Sequence, residues 1–212
     1  MNAPRITPHL RAVPDQPQVA SERAILKAFE DDDREFGRLF YDHRIRSIDG
    51  TLMRVLGERT TEHDDLVQNT FEQILLTLTR GSFKGTCSLK SWACAISTRI
   101  GLNAIRSRKV ERRYFDRSAE SEEVFEHQTS HADDKRLETR NTLVQVRLHI
   151  AQLIPARAEA LLLHDVLGHE LAEVAAITGI TVSAAQSRLV RGRKDLRSRL
   201  REHELLPKEE QP

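Results

Sequence analysis

The stretch LAEVAAITGITVSAAQSRLVRGRKDLRSRL, residues 171–200, leaves few folds open. Leu171, Val174, Ala175 and Ile177 recur at helical spacing and predict a short helix from Glu170 to Thr178. Gly179 supplies the left-handed turn that a helix C-terminus favours, and Thr181 can cap the next helix. That long helix puts Val182, Ala185, Leu189, Leu196 and Leu200 on one side, with Arg188, Arg191, Lys194 and Arg197 mainly elsewhere. Upstream, Pro155 suits a first helical position, Leu161, Leu162, Val166 and Leu167 continue the period, and Gly168 closes that helix. A short helix, a glycine turn and a basic helix make a helix-turn-helix. The small Ala175 lets the two helices approach closely. The start of the last helix is then free to enter a major groove while arginines beside it meet phosphates. The plainer reading of the same pattern is a three-helix bundle with a solvated basic face.

Composition narrows the classes further. Of 212 residues 31% are charged and 5% aromatic, which favours small helical domains over a β-rich enzyme. A formal net charge of +1 hides an uneven distribution: bases gather at 99–117 and 188–201, acids at 120–138. Cys87 and Cys94 form no CxxC pair, and no histidine lies at ligand spacing from them, so neither a disulfide framework nor a zinc site is expected. No apolar run approaches membrane-spanning length and the N-terminus lacks a signal-peptide apolar region, giving the expectation of a soluble, cytoplasmic protein without membrane insertion. P-loop, G-x-S-x-G and HExxH patterns are missing. No catalytic residue, metal or cofactor is therefore nominated.

Along the chain, residues 1–21 are proline-rich and read as a disordered tail. Ala24, Ile25, Ala28 and Phe29 begin the order, and a longer helix is predicted from Glu35 to Leu56, ended by Gly57. Thr60 or Thr61 is expected to cap the next helix, whose acids Glu62, Asp64 and Asp65 suit the positive end of the helix dipole. Its apolar stripe is read as Leu66 or Val67, Phe71, Ile74, Leu75 and Leu78, with Asp65, Gln68 and Glu72 on another face. After the polar loop RGSFKGTCSLKS, a helix carries Trp92, Ile96, Ile100 and Ala104 on one stripe and Arg99, Asn103 and Arg106 beside it, ending in Arg108, Lys109, Arg112 and Arg113. An aromatic beside a flexible loop and an arginine-rich helix suits nucleic acid, although Trp92 also fits a core position. Residues 114–140 lose the period, crowd with acids and read as a linker. The layout is all-α: a helical domain over 22–113, the acidic linker over 114–140, a helix-turn-helix domain over 141–204 and a polar tail over 205–212.

These segments together resemble the extracytoplasmic-function (ECF) group of bacterial RNA polymerase sigma factors. HDDLVQNTF is similar to the acidic-Asp-Leu-Val-Gln-x-x-Phe stretch of their region 2, SLKSWACAISTRIGLNAIRSRK to the Trp-x-x-x-Ile helix running into bases, and residues 153–200 to region 4. The resemblance implies two helical domains on a flexible tether, core RNA polymerase and promoter DNA (duplex and melted strand) as partners, and an anti-sigma factor. It places Asp64, Asp65 and Gln68 against core polymerase. It assigns Phe83, Lys84 and Gly85 to capture of a flipped minus-ten base, joined by Trp92, Arg99, Asn103 and Arg106 as contacts in melting. An unstacked base costs a few kcal/mol, which a pocket and phosphate contacts can offset. Thr181, Ser183, Gln186, Ser187, Arg188 and Arg191 are implied as readers of the minus-thirty-five element.

The chain departs from the family pattern at several points. Arg99 stands where asparagine is frequent, Asn103 where aspartate is, Ala185 where a bulky aliphatic residue is usual, and Gln186 where a base is; Ala93 and Cys94 follow the tryptophan in place of leucine and tyrosine. A glutamine can pair bidentately with adenine where arginine favours guanine. Two rival readings stay open on the residues alone: a stand-alone helix-turn-helix regulator with a sensing or dimerisation domain, and a helical adaptor with basic faces that binds no DNA.

Overall fold

The computed structural model describes residues 17–31, 36–115, 131–203 and 205, and among them the regular structure is helical, with no strand. The all-α expectation holds. Two compact units divide the chain, 1–43 and 44–212. In the first, α1 (Pro17–Glu30) begins inside the stretch read as a tail, with its proline at the position where a missing N–H costs nothing. Ile25 and Ala28 are buried, and Phe36, which opens α2 (Phe36–Leu56), packs between Phe29 and Phe40 with ring centroids 5.0 and 5.8 Å away. The predicted start at Glu35 lies outside the described residues.

In the second unit, the remaining turns of α2 bury Ile48, Leu52 and Val55. The next helix, α3 (His63–Thr79), buries His63, Val67, Thr70, Ile74 and Leu78. This stripe is rotated from the one expected: Leu75 and Leu76 are exposed (38% and 45%), and Phe71 is half-buried. The cap also differs. Glu62 occupies the cap position without a capping bond, its carboxylate accepting from Arg108 instead, and Thr60 also accepts from Arg108 Nη2 at 2.8 Å. What fixes the helix start is the fully buried His63, whose Nε2 meets Asp49 Oδ1 at 2.8 Å.

The long helix α4 (Leu89–Phe115) is the centre of this unit. Ala93 through Thr98 are all buried, so this stretch of the helix has no solvent face. Ser97 and Thr98 satisfy their hydroxyls on the carbonyls of Ala93 and Cys94, at 2.9 and 2.8 Å, which lets a polar pair sit in the interior. On one side α4 meets α2, where Gly101 faces Val55: a Cβ there would lie 2.8 Å from Val55 Cγ1. On the other it meets α5 (His131–Ala151), α6 (Pro155–Leu161) and α7 (Leu171–Thr178). Helix therefore enters the range read as linker from both ends, to Phe115 and from His131, and 116–130 lies outside the described residues.

A π-helical turn, Leu162–Val166, continues α6 and tightens into Gly168. Gly179 ends α7 in the left-handed region at φ 66°, and Thr181 caps α8 (Val182–Glu202) by accepting from the Ala184 amide at 3.2 Å, both as the sequence predicts. Ala185, Leu189 and Leu200 are buried on α8, whereas Val182, expected on the same side, is 48% exposed. His149 is buried near the end of α5 against His203, with ring centroids 4.5 Å apart, and its Nδ1 has no partner. Burial first, then the neighbouring His203, Lys109 and Arg199, hold its pKa below the ordinary imidazole value.

Two outcomes are expected from this packing. Gly101→Ala should cost about 1–3 kcal/mol in urea denaturation, because overpacking against Val55 outweighs the better helix propensity, and Val55→Ala in the same chain should recover part of the loss. Because folding depresses the His149 pKa, its contribution to stability is present above the unfolded imidazole value of about 6.5 and is lost as pH falls below it. The melting temperature should drop between neutral pH and about pH 5.5, and His149→Leu should flatten that drop.

Candidate nucleic-acid interface

The sequence nominates three groups of residues, and the fold presents them differently. At the start of α8, Thr181, Ser183, Gln186, Ser187 and Arg191 are exposed, and Arg188 is half-buried. They share the outer face of a helix whose inner face, Ala185 and Leu189, is fixed in the core. Two ion pairs hold the axis of α8: Arg157 with Asp195, and Arg193 Nε with Asp165 Oδ2 at 2.9 Å. Arg193 thus works as an anchor, while Arg191 and Lys194 remain exposed. Val182 and Val190, 48% and 56% exposed, add apolar surface to this helix, and such side chains can contact thymine methyl groups. Helical period alone assigns Val182 inward and gives no sign of either role.

The second group splits in two. Phe83 packs its ring on Trp92 at 5.1 Å and 51°, both half-buried, with Lys84 and Gly85 exposed beside them. Trp92 is thus a wall of the loop and not a core residue. Arg99, Asn103 and Arg106 lie further along α4, with Arg106 about 21 Å from Trp92 at 1.5 Å rise per residue. Arg99 Nε donates to Glu159 Oε1 at 2.7 Å. Arg106 donates through Nε to the Ala151 carbonyl at 2.7 Å and through Nη1 to Asn103 at 3.0 Å, leaving its Nη2 buried without an acceptor. Arg106, Lys109 and Arg199 line a recess of about 530 Å³ floored by Leu148 and Leu153. The side chains of Arg112 and Arg113 lie outside the described residues.

The third group is on α3. Asp64, Asp65 and Gln68 are exposed on its first turns, with Asp64 paired to Arg59 at 2.6 Å and Gln68 donating to Glu72 at 3.1 Å. The face is acidic and open. The bond from His63 to Asp49, which orients this helix, is invisible to apolar periodicity; a histidine four residues before Val67 on the buried stripe is the one signal of it. Among the described residues no group of three His, Cys, Asp or Glu side chains is placed to hold a metal ion, and no helix is long and apolar enough to cross a membrane.

Comparison with known proteins identifies the family. A model of the family described as sigma-70, region 4 matches residues 143–196. The ECF RNA polymerase sigma factor SigC of Mycobacterium tuberculosis is 32% identical over 133 residues, 63% of this chain and 67% of that protein. The RNA polymerase sigma factor CarQ of Myxococcus xanthus is 30% identical over 178 residues, 84% of this chain and 92% of that protein. Among solved structures, CnrH in complex with the cytosolic domain of CnrY matches with a TM-score of 0.48 at 24% identity, covering 86% of this chain and 98% of that one. With relatives of this identity matched over most of their length, the chain belongs to the RNA polymerase sigma factors of the ECF group.

Proposed function

We propose that this sigma factor directs core RNA polymerase to promoters in the cytoplasm by dividing the task among its three surfaces. The outer face of α8 reads the minus-thirty-five duplex, the Phe83–Trp92 loop with the arginine row of α4 takes the melted minus-ten strand, and Asp64, Asp65 and Gln68 dock on the polymerase. The observation that carries this reading is the start of α8. A capped helix presents Gln186, Ser187 and Arg191 outward while Ala185 and Leu189 fix it from behind. Rigid backing converts side-chain contacts into base discrimination, since a loosely held helix would spread the same contacts over several registers. The loop suits a different ligand: paired aromatic rings beside a lysine stack bases and hold phosphate without needing a duplex. No chemistry is assigned to this chain, and catalysis is the polymerase's. An anti-sigma protein is the expected regulator.

Run-off transcription with purified core polymerase on a genomic fragment library tests the reading. Added protein should give new discrete starts, and no added initiation with active core would sink it. On a promoter so recovered, Gln186→Ala should relax preference at one base position by roughly 1–3 kcal/mol. Arg191→Ala should weaken binding evenly across sequences and lower the salt dependence by about one phosphate.

A further inference from the structure

Residues of α4, the end of α5, the start of α6 and the last turns of α8 line the recess of about 530 Å³, with Arg106, Lys109 and Arg199 over Ile105, Leu148 and Leu153. Its charge is one-sided. No carboxylate stands among the lining residues, and all three cations are half-buried, where water screens them less than on an open surface. Neighbours hold two of the three in place. Arg106 donates through Nε to the Ala151 carbonyl at 2.7 Å and through Nη1 to Asn103 at 3.0 Å, and Arg199 Nη1 donates to Gln152 Oε1 at 3.3 Å. These acceptors are neutral, so they fix the guanidiniums without cancelling their charge. Arg106 Nη2 is buried with no acceptor, an unfavourable state for a cationic donor that an anionic acceptor would relieve. Buried His149 senses the same excess of positive charge. After its own burial and His203, it is Lys109 and Arg199 that press its pKa down, with Glu202 opposing.

We propose that this recess binds a small amphipathic anion, a phosphate or carboxylate head on a short apolar body. The head sits among Arg106, Lys109 and Arg199, and the body lies against Ile105, Leu148, Leu153 and Pro155. Two features select this class. The volume falls within the roughly 300–1,000 Å³ typical of small-molecule sites, enough to enclose a compact ligand. The apolar floor decides the rest. A bare phosphate, or the backbone of a nucleic-acid strand, gains nothing from leucines, whereas an alkyl or aryl body removes apolar surface from water there. The assignment does not depend on the promoter reading. Arg106 is shared with the row proposed for the melted strand, but Lys109 and Arg199 are not, and the site is tested through them.

Isothermal titration of the full chain with octyl phosphate is the test, with inorganic phosphate and 1-octanol as the head and the body alone. Octyl phosphate should bind once per chain and at least about tenfold tighter than inorganic phosphate, and octanol should give no saturable heat. Lys109→Gln and Arg199→Gln should each weaken octyl phosphate about fivefold. Arg197→Gln, which removes the same charge from the same helix as Arg199 but outside the recess, should leave it unchanged. Leu148→Ser should weaken octyl phosphate and leave inorganic phosphate as it was. Absence of saturable octyl phosphate binding would overturn the site. Equal affinity for octyl and inorganic phosphate would do so too, since that is what a bare strand contact gives, as would an equal loss in Arg197→Gln, which marks diffuse attraction. Vesicles of phosphatidylcholine and phosphatidic acid present the same head on a lipid. Pelleting of the chain with them in preference to octyl phosphate would overturn a soluble ligand. None of these readouts uses DNA or polymerase, so failure here and failure of the promoter reading are separate results.

Discussion

The burial of α4 on all sides between Ala93 and Thr98 is the constraint on which the second unit depends. A stretch of helix without a solvent face must offer apolar or internally satisfied side chains in every direction, and this one does. Ala93, Cys94 and Ala95 are compact, Ser97 and Thr98 bond back to their own helix, and Gly101 accepts Val55. Close packing of this kind tolerates little change of volume. Cys94 is held in the thiol form by burial, which raises its pKa more than its bond with Thr51 lowers it, so that it behaves as a small apolar residue.

Much of the architecture is legible in the sequence because local chemistry and tertiary context agree there. Gly179 and Thr181 shape the turn through backbone preferences that no neighbour overrides, and the α8 core positions Ala185 and Leu189 obey the helical period. The failures have physical causes. Period counting expects α3 to bury its largest residues, yet the buried histidine at its head and its bond to Asp49 rotate the stripe toward Thr70 and away from Leu75. Thr60 suits a cap by position alone, but Arg108, distant in sequence, claims its hydroxyl. Composition points to a linker through residue 140, whereas α5 begins at His131; charge density does not by itself prevent a helix.

The candidate surfaces show the same split. The face of α8 can be named from a motif because one helix carries all of it. The arginine row of α4 can be named as well, but not its partners, since Glu159 and Ala151 lie far along the chain. The departures from the family pattern at Ala93, Cys94 and Ala185 gain a common explanation from packing: all three are buried, and bulkier side chains would hold α4 or α8 away from its neighbours. Sequence variation that looks like loss of a family feature is consistent with a tighter internal fit. On the proposed reading of α8, promoter preference then rests on Gln186 and the exposed valines.

The central claim is that α4 serves as a common wall for the helices packed on either side of it. Pulsed electron-spin distance measurement reads this most directly, with labels at Gln73→Cys and Arg197→Cys in a Cys87→Ser background, since both positions are exposed and outside the nominated contacts. A shared wall predicts one narrow, short distance distribution in the free full-length chain. A broad distribution, or one centred at long distance, would contradict it.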